Sequence, residues 1–397
     1  MPKALTFSFG TAGRIIFGKG AFAQADELAA GFGRRTLIVV SPSSGERAQR
    51  LAERIQARRD EVALFTVNGE PDLRSVEQGY KVAQSGRYEC VIALGGGSVI
   101  DTGKAIAGLL TNGGKVLDYA EVVGEGKPLT KPSAPLIAIP TTAGTGAEAT
   151  RNSVITIPDR QLKVSIRSQH LLPAVALVDP ELTYSLPPAV TASSGLDALT
   201  QLIEPYTCNR PNPLTDLLAI SGLQSAARCL VKAFQEGAPE AREGMAYASL
   251  CGGLALANAG LGAVHGFAGV LGGRYGIPHG TCVAMLLPHV VAGNIAAIEA
   301  RDHDQSILTR YTEIARILSE VGNQNGIQQS EESLLHALPY MLRHICETLQ
   351  IPRLGSYGVT EGSLNEIVAQ ALKASSMRAN PVELSGDELT AILKAAL

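Results

Sequence analysis

The sequence predicts a two-part protein, in which a parallel α/β sheet domain is followed by an all-helical domain. Its first 185 residues alternate short β-branched apolar runs with longer helical stretches, the pattern of a mostly parallel sheet covered by helices. After Leu186, strand-like runs nearly vanish and stretches rich in Ala, Leu, Glu and Gln take over. Two consecutive prolines, Pro187 and Pro188, stop any helix at this point. The 397 residues suit two domains, and we place them at 1–185 and 186–397.

The predicted sheet has five strands separated by helices. Apolar, β-branched runs predict the strands at 36–41 (TLIVVS), 62–67 (VALFTV), 90–94 (CVIAL), 136–139 (LIAI) and 175–178 (VALV). Helical patterns fill the gaps between them at 21–32, 46–58, 73–85 and 100–110. In such a βαβα order, ligands bind at the carboxyl ends of the strands.

Composition excludes several classes of protein. Lys plus Arg (34) nearly balances Asp plus Glu (37), so the protein has no strong positive electrostatic potential that would attract a polyanion. We therefore expect no nucleic-acid partner. Six scattered cysteines without a CxxC pair predict reduced thiols and a cytoplasmic location. The N-terminus lacks the pattern of an export signal. The uncharged stretch 246–264 is mostly Ala and Gly, which favours a buried core helix over a membrane span.

Two polar loops follow predicted strands at the same edge of the sheet. Residues 94–98 (LGGGS) connect a strand to a helix, where glycines let backbone N–H groups approach a pyrophosphate. Residues 140–148 (PTTAGTGAE) follow the next strand of the chain. Each loop alone is equally compatible with an ordinary turn. Together they favour a dinucleotide site.

Four possible metal ligands lie in the helical half. Asp197 and Gln201 are one helical turn apart and project from one face, while His265 and His279 flank a Gly-rich bend. Oxygen and imidazole ligands from different helices suit a divalent transition metal. By themselves these residue types are also common as helix caps and ordinary core residues.

Four segments resemble the iron-containing, or group III, alcohol dehydrogenase family. They are GGGSVIDTGKAIA, PTTAGTGAE, the GLDALT helix and the stretch from His265-Gly266 to Pro278-His279-Gly280, and the resemblance spans nearly the whole chain. It implies a Rossmann-like nucleotide-binding domain followed by an all-α domain, the dehydroquinate synthase-like architecture. It also implies NAD(P)-dependent interconversion of an alcohol and an aldehyde or ketone.

The resemblance carries over a cofactor site and a metal site. Matching cofactor positions are Gly96, Gly97 and Ser98 for the pyrophosphate, Thr141, Thr142 and Thr145 with Asp101 for the crevice, and Asp72, Lys163 and Leu182 around the cofactor. A helix start, a surface lysine and a core leucine are the alternative interpretations of the last three. Matching metal ligands, for iron or zinc, are Asp197, Gln201, His265 and His279.

Three positions depart from the family pattern. Gln201 stands where the second metal ligand is a His, and a neutral amide oxygen binds iron or zinc weakly. Gly269 stands where many members carry a further active-site His. Ser41 stands where NAD-preferring members present an Asp to the ribose, so a 2′-phosphate is admitted. We therefore expect NADP, or both NADP and NAD, as cofactor.

The sequence leaves three hypotheses open. The first is an alcohol dehydrogenase that polarises its substrate through a metal, or through His265 or His279 as proton donor if no metal binds. The second is a metal-independent reductase of a carboxylate-bearing carbonyl compound, as in the maleylacetate reductases, with Arg151, Arg167 and Arg274 as candidate anion receptors. The third is a nucleotide-binding protein without turnover. A homodimer is expected, because relatives commonly associate.

Overall fold

The first part of the protein is a six-stranded parallel sheet covered by helices on both faces. The computed structural model describes residues 6–121, 123–160, 162–301, 305–322 and 330–397. All neighbouring strands of the main sheet run parallel, in the order β1-β8-β5-β4-β2-β3, and β6 and β7 form a separate antiparallel hairpin. The strands are β1 Arg14–Phe17, β2 Arg35–Val40, β3 Glu61–Thr66, β4 Cys90–Gly95, β5 Leu136–Pro140, β6 Asn152–Ile157, β7 Leu162–Arg167 and β8 Val175–Val178.

Alternate residues of the central strands face two separate apolar cores. The helices of this part are α1 Ala25–Ala30, α2 Gly45–Ala57, α3 Leu73–Ser85, α4 Gly97–Asn112 and α5 Val116–Tyr119. Ile38 and Ile92 lie in one core with α1 and α2, while Leu37 and Val91 lie in the other with α3 and α4. Burial on both faces explains why these strands read as continuous apolar runs.

The second part is helical and has a large apolar core of its own. Its helices are α6 Pro188–Thr207, α7 Pro213–Gln235, α8 Pro239–Asn258, α9 Ala263–Tyr275, α10 His279–Ala300, α11 Gln305–Gly322, α12 Glu331–Thr348, α13 Leu364–Ala371 and α14 Gly386–Ala395. The predicted fold class, an α/β sheet followed by helices, is confirmed. The domain boundary at residue 186 stays a prediction.

The structure corrects several predicted elements. All five predicted strands exist within one residue of their predicted ends, but β1, β6 and β7 were not predicted. β1 has only four residues, too few for a clear period, and the 21–32 helix divides into a 3₁₀ turn, Ala21–Gln24, and α1. The helix predicted at 100–110 begins earlier, at Gly97, so the second half of the glycine loop is already its first turn.

The single core helix predicted across residues 246–264 is wrong. The chain breaks between α8 and α9, whose axes are bent by 99°. Gly260 and Gly262 lie in the break, and the Asn258 side chain ties the end of α8 to the Leu254 and Gly10 carbonyls. Glycine lowers helix stability at such a point. The prediction of burial holds for most of this stretch.

Within the described part of the chain, two helices, α7 and α10, are long and apolar enough to cross a bilayer, and the bent α8–α9 pair would count as a third. In the fold, 72% of the apolar window of α10 is buried, against 39% for α7. Core packing therefore accounts for most of the apolarity of α10, whereas α7 presents part of its apolar face to the surface.

Candidate active site

The glycine loop leads from the end of β4 directly into α4. Gly96 is the N-cap residue of α4. The N–H groups of Gly97 and Ser98 come before Val99, the first residue whose N–H donates to the Gly96 carbonyl, and so remain available to an anion. A Cβ placed on Gly97 would lie 2.8 Å from Thr145 Oγ1, and one on Gly96 would lie 3.4 Å from Thr142 Oγ1. The two loops predicted from the sequence thus meet, and a side chain at Gly97 would collide with Thr145.

The threonine loop also contacts the helical part of the protein. Thr141 donates its N–H to the Gly95 carbonyl at 3.0 Å, which joins the two loops. A Cβ on Gly144 would lie 2.8 Å from Ser194 Cβ on α6. Asp197 is three residues further along the same helix, which is less than one helical turn. The glycine loop is therefore connected, through the threonine loop, to the helix that carries Asp197.

The other predicted cofactor residues have varied surroundings. Ser41 follows β2, beside β4, at the carboxyl edge of the sheet, with its hydroxyl 3.0 Å from Ser43 Oγ. Asp72 caps α3, accepting the Ser75 N–H at 2.7 Å, which fits the helix-start interpretation. The Leu182 side chain is buried in the sheet core, which fits the core-packing interpretation.

Lys163 is not a free surface lysine. Its side chain is 7% exposed, and its Nζ lies 2.6 Å from a carboxylate oxygen of Glu70. A Cβ on Gly272 of α9 would lie 2.9 Å from Nζ. The ammonium group therefore lies between the hairpin and the helix that carries His265.

Beneath the threonine loop lies a buried charged cluster, Asp101, Lys104 and Glu148. Lys104 Nζ donates to the carbonyls of Thr150 and Asn152 at 2.7 and 3.0 Å. Burial lowers the pKa of Lys104 to about 8 and raises those of Asp101 to about 6 and Glu148 to about 7, each partly offset by the opposite charges. Asp101 also accepts the Val154 N–H at 3.0 Å, so in this structure it holds the hairpin against α4.

The four predicted metal ligands gather on three helices. Asp197 and Gln201 lie on α6, His265 on α9 and His279 at the start of α10. Asp197 Oδ1 lies 3.4 Å from His265 Nε2 and 3.7 Å from His279 Nε2. One ligand atom from each of Asp197, His265 and His279 falls within 4.8 Å of the others. The structure thus brings together side chains that are 82 positions apart in the chain (279 − 197).

Glu204 belongs to the same cluster and was not among the predicted residues. It follows Asp197 by seven positions on α6, on the same helix face. One carboxylate oxygen lies 2.6 Å from His265 Nδ1, and the other accepts the Val264 N–H at 2.8 Å. The spacing from Asp197 was visible in the sequence. The partner on α9 was not, because it depends on how α8 and α9 bend.

The electrostatics of the cluster favour an ionised Asp197. Burial opposes its ionisation, but the neighbouring imidazoles of His279 and His265 outweigh this and lower its pKa. Burial likewise opposes protonation of His265, yet Glu204 and Asp197 raise its pKa to about 9. Burial dominates at His279, whose pKa is lowered despite Asp197. The centre thus concentrates negative charge around buried imidazole nitrogens.

These residues fit a divalent cation. Among the described residues, three buried atoms of the cluster lack a hydrogen-bond partner: Asp197 Oδ1, Gln201 Oε1 and His265 Nε2. Leaving several buried polar atoms unpaired is costly unless a ligand satisfies them. Carboxylate, amide and imidazole donors are ligands that iron and zinc accept. Gln201 is a weaker donor than His, and its oxygen is buried without a partner.

The helix that carries His265 has open space beside it at Gly269. Gly269 lies one helical turn after His265 on α9, and a Cβ added there would meet no atom within 4 Å. Of the three candidate anion receptors, Arg274 pairs with Glu366 at 2.8 Å. Arg151 and Arg167 lie together at the base of the hairpin, where Ser168 N donates to the Arg151 carbonyl.

Comparisons with known proteins agree with this geometry. The model of the family "Iron-containing alcohol dehydrogenase" matches residues 12–180, and that of the "Fe-containing alcohol dehydrogenase family, C-terminal" matches residues 191–397. Alcohol dehydrogenase 4 of Schizosaccharomyces pombe is 36% identical over 390 residues, covering 96% of this chain and 87% of that protein.

Solved structures resemble the chain over nearly its whole length. A 1,3-propanediol oxidoreductase superposes with a TM-score of 0.89 at 32% identity, covering 99% of this chain and 100% of that one. A sulfoacetaldehyde reductase from Bifidobacterium kashiwanohense, in complex with NAD+, superposes with a TM-score of 0.83 at 30% identity, covering 99% of both chains. The chain belongs to the iron-containing alcohol dehydrogenase family.

Proposed function

We propose that this protein is an NAD(P)-dependent alcohol dehydrogenase that reduces an aldehyde, or oxidises the corresponding alcohol, in the cleft between its two parts. The main observation behind this proposal is the set of buried, unpartnered ligand atoms of Asp197, Gln201 and His265. Membership of the family and the relatives named as alcohol dehydrogenases support the same activity.

The cofactor would lie along the carboxyl edge of the sheet. The N–H groups of Gly97 and Ser98 would bind its pyrophosphate, while Thr141, Thr142 and Thr145 line the crevice and Lys163 offers an ammonium group at the nicotinamide end. A bound nicotinamide supplies the hydride chemistry. Ser41 brings a hydroxyl and no carboxylate to the end of β2, which supports use of NADP as well as NAD.

Asp197, Gln201, His265 and His279 would hold the metal. A divalent ion bound there supplies a Lewis acid for the substrate oxygen. Glu204 fixes the tautomer of His265 by accepting its Nδ1–H, which leaves Nε2 free as a ligand. The low pKa of His279 keeps its imidazole neutral and able to coordinate.

A second mechanism, without metal, has one observation in its favour. The pKa of His265, raised to about 9 by Glu204 and Asp197 against the effect of burial, keeps this imidazole protonated at neutral pH when no cation is present. Nε2–H of His265 would then donate a hydrogen bond to the substrate oxygen. The weak ligand Gln201 is consistent with this version.

The proposed assembly is a homodimer formed through β1 and α7. β1 is an edge strand of the sheet, and its Ile15 and Phe17 side chains are 36% and 37% exposed. On α7, Leu217 is 68% exposed. Exposed edge strands and apolar patches mark association sites. All six cysteines are free thiols, which supports the proposal of a cytoplasmic enzyme.

The test is to measure NADPH and NADH oxidation with a panel of aldehydes, together with iron and zinc content, before and after treatment with a chelator. We expect activity that falls with the metal content and returns on adding Fe²⁺ or Zn²⁺. Full activity in chelator, with no metal bound, would select the His265 version. The proposed function would be contradicted if no aldehyde supports oxidation of NADPH or NADH and no alcohol supports reduction of NADP+ or NAD+.

A further inference from the structure

A cavity of about 270 Å³ opens in the helical part, between α10, the end of α12 and the end of α14. We call it the α10–α12 cavity. Ala284, Met285 and Cys346 form an apolar, buried floor. The charged or titratable residues that line it are His289, Arg343, Glu347 and Arg353. Its volume is close to the lower limit of ligand pockets, about 300 Å³, so it suits a small molecule.

The α10–α12 cavity lies where a proline interrupts the hydrogen bonds of α10. Pro288 stands inside this helix and has no N–H to donate to the Ala284 carbonyl, one turn earlier. The thiol of Cys346 on α12 is the donor instead, with Sγ 3.4 Å from that oxygen. A contact between α10 and α12 therefore joins the two helices at the floor of the cavity.

The surroundings of His289 are positively charged. Burial and the charges of Arg343 and Arg353 lower the pKa of this imidazole to about 4, so it is neutral at pH 7. Both guanidinium groups therefore lie close to the imidazole. No carboxylate of the described residues offsets their effect on it. A neutral imidazole carries one N–H, which can be donated to an anion.

Arg343 and Arg353 have no partner within the described part of the protein. Neither guanidinium forms a hydrogen bond or an ion pair there, although Glu347 lines the same cavity. Guanidinium groups bind carboxylate and phosphate oxygens through paired N–H donors. Two such groups beside a neutral imidazole thus offer a set of donors for one oxyanion, next to an apolar floor.

We propose that the α10–α12 cavity binds a small organic oxyanion, a carboxylate or a phosphate monoester, with its head between Arg343 and Arg353 and its apolar body on the floor. His289 would donate its N–H to the same head. None of the described residues that line the cavity belongs to the proposed cofactor or metal site. The inference therefore goes beyond the proposed function and does not depend on it.

The test is calorimetric titration of the full chain, without cofactor, with hexanoate, hexyl phosphate, hexanamide and inorganic phosphate. At least one hexyl anion should bind with a dissociation constant below about 1 mM. It should bind at least about tenfold more tightly than hexanamide, which lacks the charge, and inorganic phosphate, which lacks the apolar body. The two hexyl anions distinguish a carboxylate from a phosphate as the preferred head.

Replacing both Arg343 and Arg353 by Met should weaken binding of the hexyl anion by about ten- to one hundred-fold, the range of charge-assisted hydrogen bonds. The matched control replaces Arg50 and Arg316 by Met. It removes the same charge from two exposed helical arginines that already pair with carboxylates, and it should leave the affinity unchanged.

Ala395→Trp tests the apolar part of the cavity. Ala395 is an exposed lining residue, so the larger side chain would fill the cavity without replacing a core residue. It should abolish binding of the hexyl anion. Asp197→Ala should leave this binding unchanged, because the anion does not occupy the metal centre.

The proposal is overturned if neither hexyl anion binds, or if hexanamide or inorganic phosphate binds as tightly. It is also overturned if binding persists at full strength in the double Arg343 and Arg353 variant or in Ala395→Trp, or if Asp197→Ala abolishes it. Circular dichroism of each variant checks that the fold is retained.

Discussion

Glu204 on α6 forms a hydrogen bond with His265 on α9, in which one carboxylate oxygen lies 2.6 Å from Nδ1. Its other oxygen accepts the Val264 N–H at 2.8 Å. Both oxygens are therefore used to fix one imidazole and the start of its helix. The opposite nitrogen, Nε2, is left facing Asp197 at 3.4 Å. A carboxylate that orients a ligating histidine in this way tunes the metal without touching it.

Replacing Glu204 by Gln should weaken metal binding about ten- to one hundred-fold, since an amide offers an acceptor at only one of the two positions that the carboxylate fills. The measurement is the dissociation constant of Zn²⁺ by competition with a chromogenic chelator. Glu366→Gln, which alters an exposed carboxylate, is the control and should leave the constant unchanged. Equal affinity in wild type and Glu204→Gln would show that the contact is only structural.

Gln201→His should increase metal affinity by at least about tenfold. The Gln201 oxygen is buried and unpartnered, and imidazole is a stronger donor to iron and zinc than a neutral amide. The variant should retain more metal per chain after dialysis against chelator, as measured by elemental analysis. Asp197→Asn is the opposite control and should retain less than the wild type. Unchanged retention in Gln201→His would mean that position 201 is not a ligand.

Glu148 should make stability depend on pH between about 4.5 and 7. Burial raises its pKa from the ordinary 4.5 to about 7, against the smaller effect of Lys104. A carboxyl whose pKa is raised in the folded state stabilises the fold most at pH values below its pKa in the unfolded state. That stabilisation is lost as the pH rises through its pKa in the folded state. Over this range the loss amounts to about 3 kcal/mol.

The check is to compare the free energy of unfolding of the wild type with that of Glu148→Gln, which cannot ionise, at pH 5, 6, 7 and 8. The wild type should lose stability relative to the variant as pH rises. Glu181→Gln, which alters an exposed residue of a 3₁₀ turn, is the control. A difference that stays constant with pH would rule out titration of Glu148 in this range.

Leu217→Lys should disrupt the proposed homodimer. Leu217 is 68% exposed on α7, and a lysine there would place two like charges in an apolar contact between copies. Light scattering coupled to size exclusion should change from about twice the 41.5 kDa chain mass to the chain mass itself. Tyr340→Lys, at another site that is 71% exposed, should leave the mass unchanged. A wild-type protein that is monomeric at all concentrations would contradict the assembly.

The sequence predicted the fold well where the signal is local. The five buried strands are continuous apolar runs, and Pro187 and Pro188 mark the point after which the chain becomes helical. β1 was missed because two of its four residues, Ile15 and Phe17, are partly exposed at a sheet edge, where no period shows.

The candidate site was only partly predictable, because several of its contacts join distant segments. Asp197 and Gln201 are visible as one helix face. The contact of Glu204 with His265 depends on the bend at Gly260 and Gly262. The apolar composition of residues 246–264 predicted one continuous helix and so gave no sign of this bend.

The central claim is that the glycine loop and the Asp197 centre serve one cleft, in which hydride passes between cofactor and substrate. It is tested most directly by incubating the enzyme with NADPH or NADH deuterated at both C4 positions and an aldehyde, followed by mass spectrometry of the alcohol. We predict that the alcohol carries one deuterium on its carbinol carbon. Formation of this deuterated alcohol should be lost equally in Gly97→Leu, whose side chain would clash with Thr145, and in Asp197→Ala. An alcohol without deuterium, or transfer that persists when either side of the cleft is destroyed, would contradict the account.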